Sequence, residues 1–169
     1  HLSQFHGYTL SEIESHEYET IHKINTMLID DSQKGISISY GNTVIEFSSF
    51  WQNNIFDIVL CLGDRFEMSA AVQSTIPFGV KLAHIHGGET TEGSMDEAFR
   101  HSITKMSHLH FTSTEAYRKR VIQLGEIPQK VFNVGAPGID NVRALTLLDR
   151  TNLSKELNFD VMGPYIVVT

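Results

Sequence analysis

The sequence predicts an α/β fold built on a parallel sheet. Short apolar runs alternate with amphipathic stretches of ten or more residues through most of the chain, the pattern of repeated strand–helix–strand units. Three successive apolar runs also halt at polar or glycine residues. Residues 55–62 (IFDIVLCL) stop at Gly63-Asp64-Arg65, 80–85 (VKLAHI) at His86-Gly87-Gly88-Glu89, and 109–111 at Thr112-Ser113-Thr114-Glu115. Open parallel sheets bind ligands beyond the carboxyl ends of their strands, so three such ends predict one crevice.

Taken in order, residues 11–14 read as a short helical turn, and 18–24 as a strand or an extended connection. Ile36, Tyr40, Val44, Phe47 and Trp51 recur at helical spacing and predict a helix over 36–51. A strand over 55–62 follows, then a helix over 65–76. Met68, Ala71, Val72 and Thr75 give that helix one apolar face, and Pro77 ends it. Strand 80–85 leads into a glycine loop at 87–93. Ser94, with Glu97 three residues on, has capping-box spacing and opens a helix over 94–107. The face of this helix is mixed (Ala98, His101, Ile103, Lys105), as suits a helix beside an active site. Strand 108–112 precedes a helix over 114–124, capped by Ser113 or Thr114 and closed at Gly125. Strand 130–134 runs into Gly135-Ala-Pro-Gly138 and a helix over 139–148. That turn, with Asp140 beyond it, reads at least as well as turn chemistry as it does as a ligand contact. A short helix at 154–157 and a last strand at 165–169 complete the series.

Composition narrows the function. The 169 residues carry 20 acids against 13 scattered bases, a net charge of −7, which argues against a nucleic-acid surface. No apolar run approaches the ~20 residues of a membrane span. One cysteine, Cys61, sits inside an apolar run, so no intrachain disulfide forms and a reducing cytoplasm is expected. Cys61 reads as a small buried hydrophobe rather than a nucleophile. The chain opens at His1 and closes on an apolar run, and it is expected to be a piece of a longer protein.

The candidate residues cluster at the strand ends. Asp64 is presented by the Gly63 turn, either to the crevice or as a helix cap with Glu67 completing a capping box. His84 and His86, two apart on a strand, are expected on one face. They suggest a metal site with Asp96, His101, His108 or His110, but His84 suits a satisfied core imidazole better, and no metal is expected. The Gly87-Gly88 to Gly93 loop suggests a phosphate cradle, although no dinucleotide or P-loop fingerprint is present. Asp96 and Arg100 stand four apart on a helix, with Glu97 and His101 beside them. They read as a surface ion pair or, better, as an arginine that orders a carboxylate and meets a substrate anion.

The runs GDRFE (63–67), AHIHGGETTEG (83–93), DEAFRHSITKMSHLHFTSTE (96–115) and VGAPGID (134–140), with the opening HLSQFHGYTLSEIE, resemble the hydrolysing UDP-N-acetylglucosamine 2-epimerases, in their sialic and legionaminic acid biosynthesis branch. The resemblance covers nearly the whole chain. It implies a Rossmann-like parallel sheet with helices on both faces, the N-terminal half of a GT-B-like two-domain fold. Residues 1–163 would form that half without its first strand and basic phosphate loop, and 164–169 would begin the second domain. The implied reaction removes the C2 proton while the nucleoside diphosphate leaves C1, then hydrates the glycal with C2 inverted. No cofactor is required.

Carried over by motif, Asp64 and Asp96 resemble the family's acid/base carboxylates and Arg100 its site-ordering arginine. Arg65, Gly88, Glu89 and Glu97 are the implied substrate contacts. Many members have Glu where this chain has His86, so either His86 or Glu89 serves the hydration step. The implied partner is a nucleotide sugar, UDP- or GDP-linked, with neither nucleic acid nor membrane. A homodimer is expected, with the helix over 36–51 (Ile36, Phe47, Phe50, Trp51) as its interface. Alternative readings are a non-catalytic nucleotide-sugar-binding domain, a metal hydrolase using the histidines, and a GT-B glycosyltransferase.

Overall fold

A computed structural model describes residues 1–3, 7–16 and 18–166. They divide after Ala136 into two compact units. The first holds α1 (Leu10–Glu14) and α2 (Gln33–Asn53), then the alternation β1 (Val59–Leu62), α3 (Phe66–Gln73), β2 (Leu82–Ile85), α4 (Asp96–Met106), β3 (Leu109–Thr112), α5 (Glu115–Gln123) and β4 (Val131–Asn133). The second holds α6 (Pro137–Ala144) and α7 (Arg150–Leu157). Helix α7 starts earlier than its pattern suggests because Asp149 caps it, accepting from the Asn152 N–H at 2.8 Å. Residues 165–166 are irregular, and 167–169, the rest of the last expected strand, lie outside the described residues.

The four strands are parallel and ordered β1-β2-β3-β4. Their register aligns Leu62 with Ile85 and Ile85 with Phe111. The residues that follow therefore leave the sheet along one edge, as three polar strand ends require. Strand β1 is shorter than its apolar run because pairing with β2 begins only at Val59, opposite Leu82, and residues 55–58 stay outside the ladder.

Cys61, Val72, Leu82 and Ile103 form a closed core, flanked by Val59, Met68, Val80 and Met106. Burial pushes the Cys61 thiol up to about 12, so it packs as a hydrophobe and is no nucleophile at neutral pH. In register with Cys61, His84 and His110 share the sheet face that α3 and α4 cover. The other face carries Leu60 and Leu62, 62% and 59% exposed, with Phe132 stacked on Phe111. Within the first unit, α3 and α4 thus lie on one face of the sheet.

Helix α2 runs longer than its apolar pattern, from a Ser32 cap that accepts from Gly35 N–H at 3.0 Å. Its buried positions are mostly small and polar. Gly35, Ser39 and Thr43 stand one helical turn apart, with Ser39 accepting from Leu28 N–H and Thr43 donating to Thr26. Phe47, Phe50 and Trp51 pack with one another, and Phe50 and Trp51 also with Phe56. Trp51 is buried and donates its indole N–H to Ser74 at 2.9 Å.

His84 is a satisfied core group. Its Nε2 meets the Gly63 carbonyl at 2.8 Å, which can only accept, so Nε2 carries the proton and Nδ1 accepts from Thr104 at 3.0 Å. Burial depresses His84 to about 4, below the ordinary 6.5. The unfolded chain therefore binds this proton at a higher pH than the native one, and stability present above 6.5 is lost as pH falls toward 4. The expected loss is on the order of 3 kcal/mol. Urea unfolding of wild type and His84→Gln at pH 7 and pH 4.5 checks this: the wild type should lose clearly more stability between the two than the variant.

Candidate active site

Beyond the strand ends lies a cleft of about 370 Å³, lined by Leu62, Gly63, Asp64, His86, Glu89 and Arg100. Gly63, at φ 86°, turns the chain sharply off β1 in a conformation that favours glycine. Its carbonyl is held by His84, which fixes where Asp64 emerges. Asp64 does not cap α3. The cap position is Arg65, without a side-chain bond, and Glu67 bonds the Arg65 guanidinium at 2.7 Å rather than completing a capping box. Asp64 is engaged by Arg100, which donates from Nη2 to Oδ2.

Arg100 projects from α4 and is only 3% exposed. Besides Asp64 it reaches the Glu89 carbonyl from Nη1 at 2.9 Å and the Thr91 hydroxyl from Nη2 at 3.0 Å. Its predicted helical neighbour Asp96 is held elsewhere, accepting from the Ser94 hydroxyl at 3.1 Å and donating its own N–H back at 3.2 Å. The expected capping box at Ser94 is absent as well. Met95 takes the cap position, and Glu97 faces His101 at 3.5 Å. The three acceptors across the cleft outcompete a single carboxylate on the same helix.

His86 lies just past β2 with φ 68°, a left-handed backbone uncommon outside glycine. That step breaks the strand alternation, so His84 and His86 do not share a face: one enters the core and the other the cleft. The Nδ1 of His86 meets Glu89 Oε1 at 2.8 Å, and the Ser113 hydroxyl donates to the same oxygen at 2.7 Å. Burial alone raises the Glu89 carboxyl. The bonds from Ser113 and His86 and the charges of His86 and Arg100 outweigh it and hold Glu89 below the usual carboxylate range.

Asp64, His86, Glu89 and Arg100 therefore meet, whereas Arg65, Gly88, Asp96 and Glu97 stand outside the cleft lining. Arg65 lies above its ordinary value, first through its bond to Glu67 and then through the charges of Glu67, Asp96 and Asp64, so both acidic candidates lie within its electrostatic reach. Gly88, expected to touch substrate, serves packing. With φ 81°, a Cβ there falls 2.5 Å from the Tyr117 carbonyl oxygen and 2.8 Å from Val121 Cγ2. Its own carbonyl accepts from Arg120. Gly88→Ala is expected to cost about 3 kcal/mol by overpacking and backbone strain, read as a lowered unfolding midpoint. An unchanged midpoint contradicts that packing.

Ser113 and Thr91 escaped the sequence reading as site residues. Ser113 carried a signal, its place at the third strand end, but it reads there as a helix cap. Thr114 takes that duty, accepting from Tyr117 N–H at 3.3 Å, and frees Ser113 for Glu89. The remaining histidines disperse. His110 meets Glu126 at 3.1 Å, and the His108 ring accepts from Leu82 N–H at 3.3 Å. Among the described residues no group of three or more His, Cys, Asp or Glu is placed to hold a metal ion, and no helix is long and apolar enough to cross a membrane.

The model of the UDP-N-acetylglucosamine 2-epimerase family matches residues 1–169. The chain belongs to that family. It is 40% identical over 169 residues to the polysialic acid biosynthesis protein P7 of Escherichia coli, covering 99% of this chain and 43% of that protein. It is 36% identical to a GDP/UDP-N,N'-diacetylbacillosamine 2-epimerase (hydrolyzing) of Campylobacter jejuni, covering 100% of this chain and 44% of that one. Among solved structures it resembles the Neisseria meningitidis UDP-GlcNAc 2-epimerase bound to UDP-GlcNAc, with a TM-score of 0.70 at 19% identity over 90% of this chain and 42% of that one. The likeness to that structure establishes the shared fold. The chain spans less than half the length of these epimerase-family relatives.

Proposed function

We propose that this chain supplies the acid/base side of the active site of a hydrolysing nucleotide-sugar 2-epimerase. The single observation that carries the reading is the convergence of Asp64, His86, Glu89 and Arg100 on one cleft in a chain of this family. The substrate is a UDP-linked 2-acetamido sugar, UDP-N-acetylglucosamine or UDP-N,N'-diacetylbacillosamine. A base takes the C2 proton as the C1–O bond breaks and its electron pair leaves with UDP. The resulting 2-acetamidoglycal then gains hydroxyl at C1 and a proton at C2 from the opposite face. Two proton transfers on opposite faces require separate acid/base groups, and the cleft offers a carboxylate and an imidazole on separate strand ends. We assign proton transfer to Asp64 and His86 in the cleft and, on its motif alone, to Asp96 outside the cleft lining, and ordering of the site to Arg100.

In this reading residues 1–163 belong to the N-terminal Rossmann-like domain, 164–169 lead toward a second, and the diphosphate is bound with help from that second domain. The whole enzyme is a cytoplasmic homodimer, and its free sugar serves sialic or legionaminic acid synthesis. The test is proton NMR of the full-length gene product with each UDP sugar. Free 2-epimerised sugar with stoichiometric UDP supports the reading. Binding of both sugars with neither product formed overturns it.

A further inference from the structure

We propose that Glu89 is a positioning residue, clamped by Ser113 so that it fixes the tautomer and aim of His86, and that it does not itself touch substrate. The inference rests on the catalytic assignment of His86 above. An ionised carboxylate only accepts hydrogen bonds, so the 2.8 Å contact from His86 Nδ1 to Glu89 Oε1 requires the proton on Nδ1. That leaves Nε2 as the nitrogen that takes up and returns a proton. The same Glu89 oxygen is already engaged by the Ser113 hydroxyl at 2.7 Å, from the end of a different strand. The Glu89 backbone is pinned as well, its carbonyl accepting from buried Arg100 at 2.9 Å. A glutamate whose carboxylate oxygen is held by two groups and whose backbone carbonyl is held by a third is poorly free to follow a reacting sugar, but well placed to orient a neighbouring ring.

The backbone supports the same assignment. His86 occupies a left-handed conformation and donates its N–H to the Phe111 carbonyl at 3.0 Å, so the main chain is committed to turning the imidazole toward Glu89. The charged groups lining the cleft with His86 are Glu89 from its own loop, Asp64 from the end of β1 and Arg100 from α4. Asp64 and Arg100 pair with each other, which largely offsets their charges at His86. Glu89 remains as the carboxylate in direct contact. It is therefore the group that fixes the tautomer and aim of the ring.

The experiment uses the full-length gene product with nitrogen-15-labelled histidine, alongside Glu89→Gln, Glu89→Ala and Ser113→Ala. Wild-type His86 is expected to carry its neutral-form proton on Nδ1. In Glu89→Gln the side-chain amide oxygen can still accept from Nδ1, so the Nδ1 tautomer should persist and kcat should fall far less than in Glu89→Ala. Glu89→Ala should lower kcat by about 100-fold with KM within twofold, because a misaimed acid/base group loses turnover rather than binding. Ser113→Ala, the mildest change, should give a smaller loss of the same kind and keeps the test available if a Glu89 variant fails to fold. A neutral-form proton on Nε2 in the wild type, a loss in Glu89→Gln as large as that in Glu89→Ala, or a KM increase at constant kcat in Glu89→Ala overturns the proposal. The tautomer is read without substrate. An enzyme inactive on nucleotide sugars that still shows the Nδ1 tautomer in the wild type refutes the proposed reaction and leaves the positioning role standing.

Discussion

Replacing Arg100 with methionine is expected to destabilise the protein by about 3–5 kcal/mol and to abolish turnover, the largest effect of any single substitution at this site. The guanidinium is 3% exposed and joins three separate segments: Asp64 after β1, the Glu89 carbonyl after β2, and Thr91 in the following loop. Its loss leaves a half-buried carboxylate and a carbonyl without their donor, and removing one member of a buried pair costs far more than the pair's net worth. Arg100→Lys should recover only part of the loss, since one ammonium on a flexible stem cannot meet acceptors fixed for a planar fork. The check is urea unfolding of the full-length gene product with each variant, read beside turnover. A loss below about 1 kcal/mol in Arg100→Met contradicts the tie between the strand ends, because exposed pairs fall in that range.

His86 separates stability from activity. Its φ of 68° is a conformation that costs a non-glycine residue roughly 1–2 kcal/mol. His86→Gly should relieve that strain, so the variant is expected to be as stable as wild type or more so. Its turnover should fall by about 100-fold to 10,000-fold, the usual worth of a positioned acid/base group. His86→Ala should lose activity to the same extent without the gain in stability, since alanine keeps the Cβ that disfavours this backbone. Unfolding midpoints and steady-state rates measured on the same preparations decide it. Near-wild-type rates in both variants remove His86 from the mechanism. A marked destabilisation in His86→Gly means the ring holds the fold rather than serving the chemistry.

What the sequence shows of this site is where chemistry leaves the sheet. Gly63-Asp64, His86-Gly87-Gly88-Glu89 and Ser113 follow three apolar runs, and parallel pairing then aligns those ends without further information. Partnership is less visible. The helical spacing of Asp96 and Arg100 is a local rule, and it loses to a part-buried contact with Asp64 thirty-six residues away in sequence. Likewise the two-residue spacing of His84 and His86 suggests a shared face only if the strand continues, and β2 ends between them at Ile85. Gly88 reads as a loop glycine that meets phosphate, because nothing local reveals that Tyr117 and Val121 of α5 press against its α-carbon. In α2 the apolar positions predict a helix correctly, but of them only Trp51 is buried, beside Gly35, Ser39 and Thr43, which are too small and polar to register as a core stripe.

The central claim is that the cleft of Asp64, His86, Glu89 and Arg100 exchanges the C2 proton of a nucleotide sugar. The most direct measurement is the deuterium content at C2 of the free sugar released by the full-length gene product in D2O. Complete single deuteration at C2, with the configuration inverted, and its loss in His86→Ala are the predicted results. Free sugar released with protium retained at C2 would contradict elimination and hydration at this site.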